Sequence, residues 1–128
     1  MDKKKILMYN GGKDSYKGCS DPHLLVKGKL YEVISEKDLG FQTNFLLKGI
    51  PGEYNSVWFS EPTSYFAYSY TVPVEDESMK SLIRFDGINA KHLHHTSTVS
   101  YVESISNDIY KAYTKNTLYI VKVLKKES

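Results

Sequence analysis

Apolar and polar residues alternate in short runs along most of this 128-residue chain, and turn residues cut the runs at close intervals. Lys5-Ile6-Leu7-Met8-Tyr9 predicts a first strand. Residues 10–22, rich in Gly, Asp and Ser, predict a long loop. Residues 28–34 alternate again, with Leu30, Glu32 and Ile34 on one face and Tyr31 and Val33 on the other. Residues 41–47 predict the next strand, closed by the turn signal Lys48-Gly49-Ile50-Pro51-Gly52. Residues 54–59 predict another, ended by Glu61-Pro62.

The second half follows the same rule. Phe66, Tyr68 and Tyr70 alternate with Ala67 and Ser69, which predicts a strand with an aromatic face ending before Pro73. Glu75-Asp76-Glu77-Ser78 reads as a solvated acidic turn, and Ser81-Leu82-Ile83-Arg84-Phe85 as a short strand leading into an Asp86-Gly87 turn. A short helix over residues 78–83 is the alternative there. In residues 96–124 three strands are joined by turns at Ser106-Asn107-Asp108 and Lys115-Asn116. Val99, Tyr101, Glu103 and Ile105 share a face of the first of these. The last carries apolar residues on both faces, Tyr119, Val121 and Val123 against Leu118, Ile120 and Leu124, and so predicts a strand covered on both sides near the middle of the fold.

Composition narrows the function classes. With 41% hydrophobic and 25% charged residues the chain is globular. Its length suits one ordinary domain, or two small β-modules that stand as a single compact unit (1–128) with halves at 4–60 and 63–125. A net charge of +2 is too balanced for a protein that lives on phosphate contacts, and Arg84 is the only arginine, so a nucleic-acid partner is disfavoured. Cys19 is the only cysteine, which fits a reducing cytoplasm. The apolar run after the basic start is too short for an export core, and no stretch is long enough to cross a bilayer. The expectation is a cytoplasmic protein.

Two groups of residues carry family resemblances. Leu25-Val26-Lys27-Gly28-Lys29-Leu30-Tyr31-Glu32-Val33 and Gly52-Glu53-Tyr54 through Trp58-Phe59 resemble the Src-homology-3-like small barrels of short proteins from Gram-positive bacteria and their phages. There a Gly opens the strand, a Tyr and a Val pack the barrel, and a terminal aromatic closes it. The chain lacks the acidic segment of the eukaryotic signalling domains, so proline-rich peptide binding does not carry over. Thr96-Ser97-Thr98-Val99 and Thr114-Lys115-Asn116-Thr117-Leu118-Tyr119 are similar to the tails of small phage and mobile-element proteins. Together the resemblances imply a mainly β fold, an N-terminal Src-homology-3-like small barrel merged with a C-terminal antiparallel meander. They also imply an accessory role, that of modulating a host protein.

Catalytic chemistry finds little support. His92-Leu93-His94-His95 and the pair Cys19 and His23 lack the paired short spacings of a zinc site, so no metal is expected. No nucleophile elbow is present, and Cys19 reads as a small buried or half-buried residue. Asp14 and Asp21 sit with Lys13 and Lys17 on a loop, whereas paired catalytic carboxylates need rigid supports. Asn10-Gly11-Gly12-Lys13-Asp14-Ser15 is not a Walker-type phosphate loop. No catalytic residue and no cofactor are expected. The remaining signal is aromatic: eleven tyrosines exceed what a core this size requires. Tyr54, Trp58, Tyr65, Phe66, Tyr68 and Tyr70, with Arg84 at the rim, are the candidate binding residues for a host protein. A small nucleotide ligand is the alternative, and a weak single-strand nucleic-acid module the third reading.

Overall fold

A computed structural model describes residues 4–12 and 18–124. The chain divides into two compact units, Met1–Pro62 and Thr63–Ser128, each with its own sheet. The protein is mainly β, and both sheets are open rather than closed into barrels.

The first unit holds β1 (Lys5–Tyr9), β2 (Leu30–Asp38), β3 (Thr43–Leu47), β4 (Ile50–Asn55) and β5 (Phe59–Ser60), in the order β4-β3-β2-β1-β5. All its pairings are antiparallel. Alternation decides which side chains go inward: Leu7 and Tyr9, Tyr31 and Val33, Phe45 and Leu47 meet Tyr54, Trp58 and Phe59 in one core. Two local expectations change. The turn after β3 is only Lys48-Gly49, and β4 starts at Ile50. Pro51 is tolerated inside that strand because β4 is an edge, where the missing N–H leaves no ladder position empty. Residues 54–59 are not one strand. The Asn55 side chain accepts the Val57 N–H at 3.1 Å and starts a 3₁₀ turn, Ser56–Trp58, that drives Trp58 into the core.

The loop after β1 is held by a buried polar cluster. Asn44, wholly buried, donates to the Gly18 carbonyl at 2.6 Å and accepts from the Gln42 amide at 2.9 Å. The Gln42 amide oxygen accepts from Asn55 at 3.2 Å, and Ser20 and Glu53 exchange bonds at 2.7 and 3.0 Å. This satisfies polar groups that an apolar core would strand, and it ties the described end of the loop to β3 and β4.

The second unit holds β6 (Ser64–Ser69), β7 (Ser78–Asp86), β8 (Asn89–Thr98), β9 (Tyr101–Ser104), β10 (Ile109–Tyr113) and β11 (Leu118–Val123), in the order β8-β7-β6-β11-β10-β9. β11 lies inside the sheet, parallel to β6 and antiparallel to β10. Residues 78–83 form strand, not helix. Val99 stands outside β9, fully buried, exchanging backbone bonds with Glu77 and Asp76 at 2.9 and 2.8 Å. Met79 and Leu82 both point inward although three residues apart, because the ladder shifts register between Ser78 and Lys80 and Ser81 takes a φ of 55°. At that irregularity the Thr96 hydroxyl accepts the Met79 N–H at 3.0 Å.

Candidate functional site

β6 positions the aromatic segment, and its alternation sorts it into two sets. Ala67 and Ser69 are buried, and Tyr65 packs against the inner core of Ala67, Met79, Leu82, Ala112, Tyr119 and Val121. Phe66, Tyr68 and Tyr70 project outward and are 67%, 40% and 56% exposed. Past Tyr65 the inward positions are small, Ala67 and Ser69, because side chains from β7 and β11 fill the inner face there.

Register extends the outer face across the sheet. Phe66 stands opposite Phe85 and Tyr68 opposite Ile83 on β7, while Phe66 neighbours Ile120 and Tyr68 neighbours Lys122 on β11. Ile109 of β10 lies opposite Lys122. The Tyr68 and Phe85 rings meet edge to face, 5.2 Å between centroids at 80°. Phe66, Tyr68, Phe85, Ile109, Ile120, Lys122 and Gly87 line a shallow groove of about 380 Å³. Ile88, 98% exposed, follows Gly87 at the β7–β8 turn. A second depression, of about 450 Å³, is lined by the 70–74 segment, which includes Tyr70, and the start of β7.

Comparison of the chain with protein-family models, with curated proteins and with solved structures finds no match.

The seven candidate binding residues do not form one site. Tyr54 and Trp58 belong to the core of the first unit, 0% and 5% exposed, and offer no surface to a ligand. Tyr65 and Arg84 turn inward in the second unit, where the guanidinium stacks on the Tyr65 ring at 4.2 Å and its Nη2 donates to Asp86 at 2.9 Å. Arg84 Nε is buried with no partner among the described residues. Phe66, Tyr68 and Tyr70 are exposed; Phe66 and Tyr68 line the groove, and Tyr70 lines the second depression. Phe85, Ile83, Ile109, Ile120 and Lys122 complete the patch. The alternation of Ile83 and Phe85 marks them as sharing a face, but only the pairing of β7 and β11 with β6 brings them beside Phe66.

His92 and His94 share the outer face, their rings edge to face at 5.2 Å. Among the described residues no group of three or more His, Cys, Asp or Glu could hold a metal ion. Lys13, Asp14, Ser15 and Lys17, weighed for phosphate or carboxylate chemistry, lie outside the described residues. No helix among the described residues is long and apolar enough to cross a membrane.

Two titratable groups of the first unit are shifted. Burial pushes the Cys19 thiol up, a bond to the Asn55 backbone lowers it in part, and Asp21 raises it further. Burial also raises the Tyr54 phenol, with Tyr31 adding to the effect, and the neutral hydroxyl donates to the Pro51 carbonyl at 2.7 Å. Both groups ionise more readily in the unfolded chain. Their contribution to stability is therefore complete below the ordinary thiol value and declines as pH rises through the raised folded values. Urea midpoints measured from pH 7 upward are expected to stay level to about pH 8.5 and then fall. The Tyr54→Phe variant should fall less steeply; an equal slope would remove Tyr54 from this account.

Proposed function

We propose that this chain is a non-catalytic binding protein whose second unit docks a partner protein on the outer face of its sheet. The observation that carries the reading is the continuity of exposed Phe66 and Tyr68 with Phe85, Ile83, Ile120 and Ile109 across β7, β6, β11 and β10. Rigid aromatic anchors beside an apolar groove are the usual material of binding hot spots, and they need no cofactor. The first unit is read as a relative of the Src-homology-3-like small barrels that has an open sheet. On that reading the whole is a phage or mobile-element accessory protein that inhibits or modulates a host protein.

Tyr68→Ala is the test. The ring is only partly covered, so the melting temperature should change little, whereas partner binding should weaken by about 2 kcal/mol or more, roughly thirty-fold. The measurement compares wild type with Tyr68→Ala and Phe66→Ala in capture from bacterial lysate, followed by titration of the captured protein. A partner bound equally by all three proteins would end the reading.

One observation favours a second reading. The Phe66, Tyr68 and Phe85 rings converge beside the Lys122 side chain, an arrangement that suits a planar anionic ligand such as a nucleotide. Small molecules extracted from purified protein, present with wild type and absent with Lys122→Ala, would favour it.

A further inference from the structure

β8 is the outermost strand of the second sheet and pairs on one side only, with β7. It runs for ten residues, Asn89–Thr98, without a proline, and nearly all of it is exposed. Over residues 89–93 its register with β7 is regular, from Asp86 opposite Asn89 to Leu82 opposite Leu93, and it continues to Lys80 opposite His95 before the irregularity. An edge strand of this length presents every second N–H and C=O to whatever lies beside it. Natural edges of this length are generally blunted by a proline, a bulge, charged side chains or a covering loop; over residues 89–95 β8 has no proline and no register shift, and its guards are Lys91 and the histidines.

Its charge is one-sided. From Ser78 to Thr98 the only carboxylate is Asp86, and Arg84 already holds it at 2.9 Å. The same stretch carries Lys80, Lys91, His92, His94 and His95. The register places the cations Arg84 and Lys91 opposite each other, a like-charge pair that hairpins avoid, and sets Lys80 opposite His95. A second copy of β8 would set more bases against these. An acidic strand would answer them, with backbone hydrogen bonds supplying affinity and carboxylates supplying choice.

We propose that the free edge of β8, over residues 89–95, receives an extended acidic segment of a partner protein as an added strand. The inference goes beyond the outer-face reading, because it concerns backbone groups at the sheet edge rather than the Phe66–Tyr68 patch, and either can fail alone.

The test uses the full chain and three capped seven-residue peptides. One alternates glutamate with valine, one alternates lysine with valine, and one repeats the glutamate sequence with every backbone nitrogen methylated. NMR titration should show the glutamate peptide binding at least ten-fold tighter than the lysine peptide, with the methylated peptide not binding. Hydrogen exchange should slow at amides of residues 89–95. The double variant Lys91→Glu with His95→Glu turns both basic cross-strand pairs into opposite-charge pairs, so the hairpin is kept, and the preference for glutamate should fall to two-fold or less. Tyr68→Ala should leave peptide binding unchanged. The proposal is overturned by equal binding of the glutamate and lysine peptides, by binding of the methylated peptide, or by no binding at millimolar peptide. Protection outside β8, or protection of β8 that grows with protein concentration in the absence of peptide, would overturn it as well, the latter by making a second copy the occupant.

Discussion

Trp58→Ala is expected to unfold the first unit. The indole is buried edge-on to Tyr9, 6.5 Å between centroids, and Gly12 is packed so closely on the ring that an added Cβ would stand 2.7 Å from it. Removing so large a buried ring costs about 3–5 kcal/mol, the lost transfer free energy plus the cavity left behind. A unit of this size has a total stability of only about 3–9 kcal/mol. Hydrogen exchange at the β1–β4 amides should therefore approach unfolded rates in mild denaturant. Wild-type exchange in β1–β4 would show that the ring contributes far less than its burial implies.

Val121→Asp is expected to do equal or greater damage to the second unit. Val121 is wholly buried on the inner face of the central strand, beside Ala67 of β6 and opposite Tyr110 of β10. A carboxylate there has no cation on Ala67 or Tyr110 beside it, and the nearest in its inner-face row, Arg84 opposite Ala67, is already held by Asp86, so burying it costs more than about 4 kcal/mol. Val121→Ala removes the same methyl groups without adding charge and should cost about 2 kcal/mol. The difference between the two should narrow as pH falls, since protonation removes the charge. Circular dichroism in urea at pH 7 and pH 4 measures both. Equal losses for the two variants at both pH values would show that charge burial is not the cause.

Periodicity made the strands legible and predicted cover on both faces of β11; the strand lies inside the sheet, but Tyr119 and Val121 are buried on its inner face while Ile120 and Lys122 line the open outer groove. Periodicity could not say which strand lies beside β11. The partner is β6, reached from far along the chain and in parallel, and no local pattern encodes that pairing. The same gap explains the candidate site. Alternation put Phe66, Tyr68 and Tyr70 on one face, but whether that face is inner or outer depends on how much volume β7 and β11 bring to the other side. Tyr54 and Trp58 misled because a ring in a sequence looks the same whether it fills a core or a surface. Arg84 was misplaced by its charge: stacking on Tyr65 and pairing with Asp86 let a guanidinium lie on the inner face. The break at Asn55 has a readable cause after the fact, a side chain that competes with the strand for backbone hydrogen bonds.

The parallel seam between β6 and β11 also fixes an order of events during folding. β7 and β8 can pair with β6 as soon as they are made, and β9 can pair with β10, since these contacts are local. The two groups can join only when β11 arrives, with Leu118 beside Ser64 and Val123 beside Ser69. Until then one side of β6 is an open template with Phe66 and Tyr68 beside it, exposed to any other nascent chain. Closing that long loop costs entropy before any seam contact offsets it, so the seam is expected to form after the local pairings. A chain cut short before β11 would be left with two sticky half-sheets, a substrate for chaperones and proteases rather than a smaller version of the same protein.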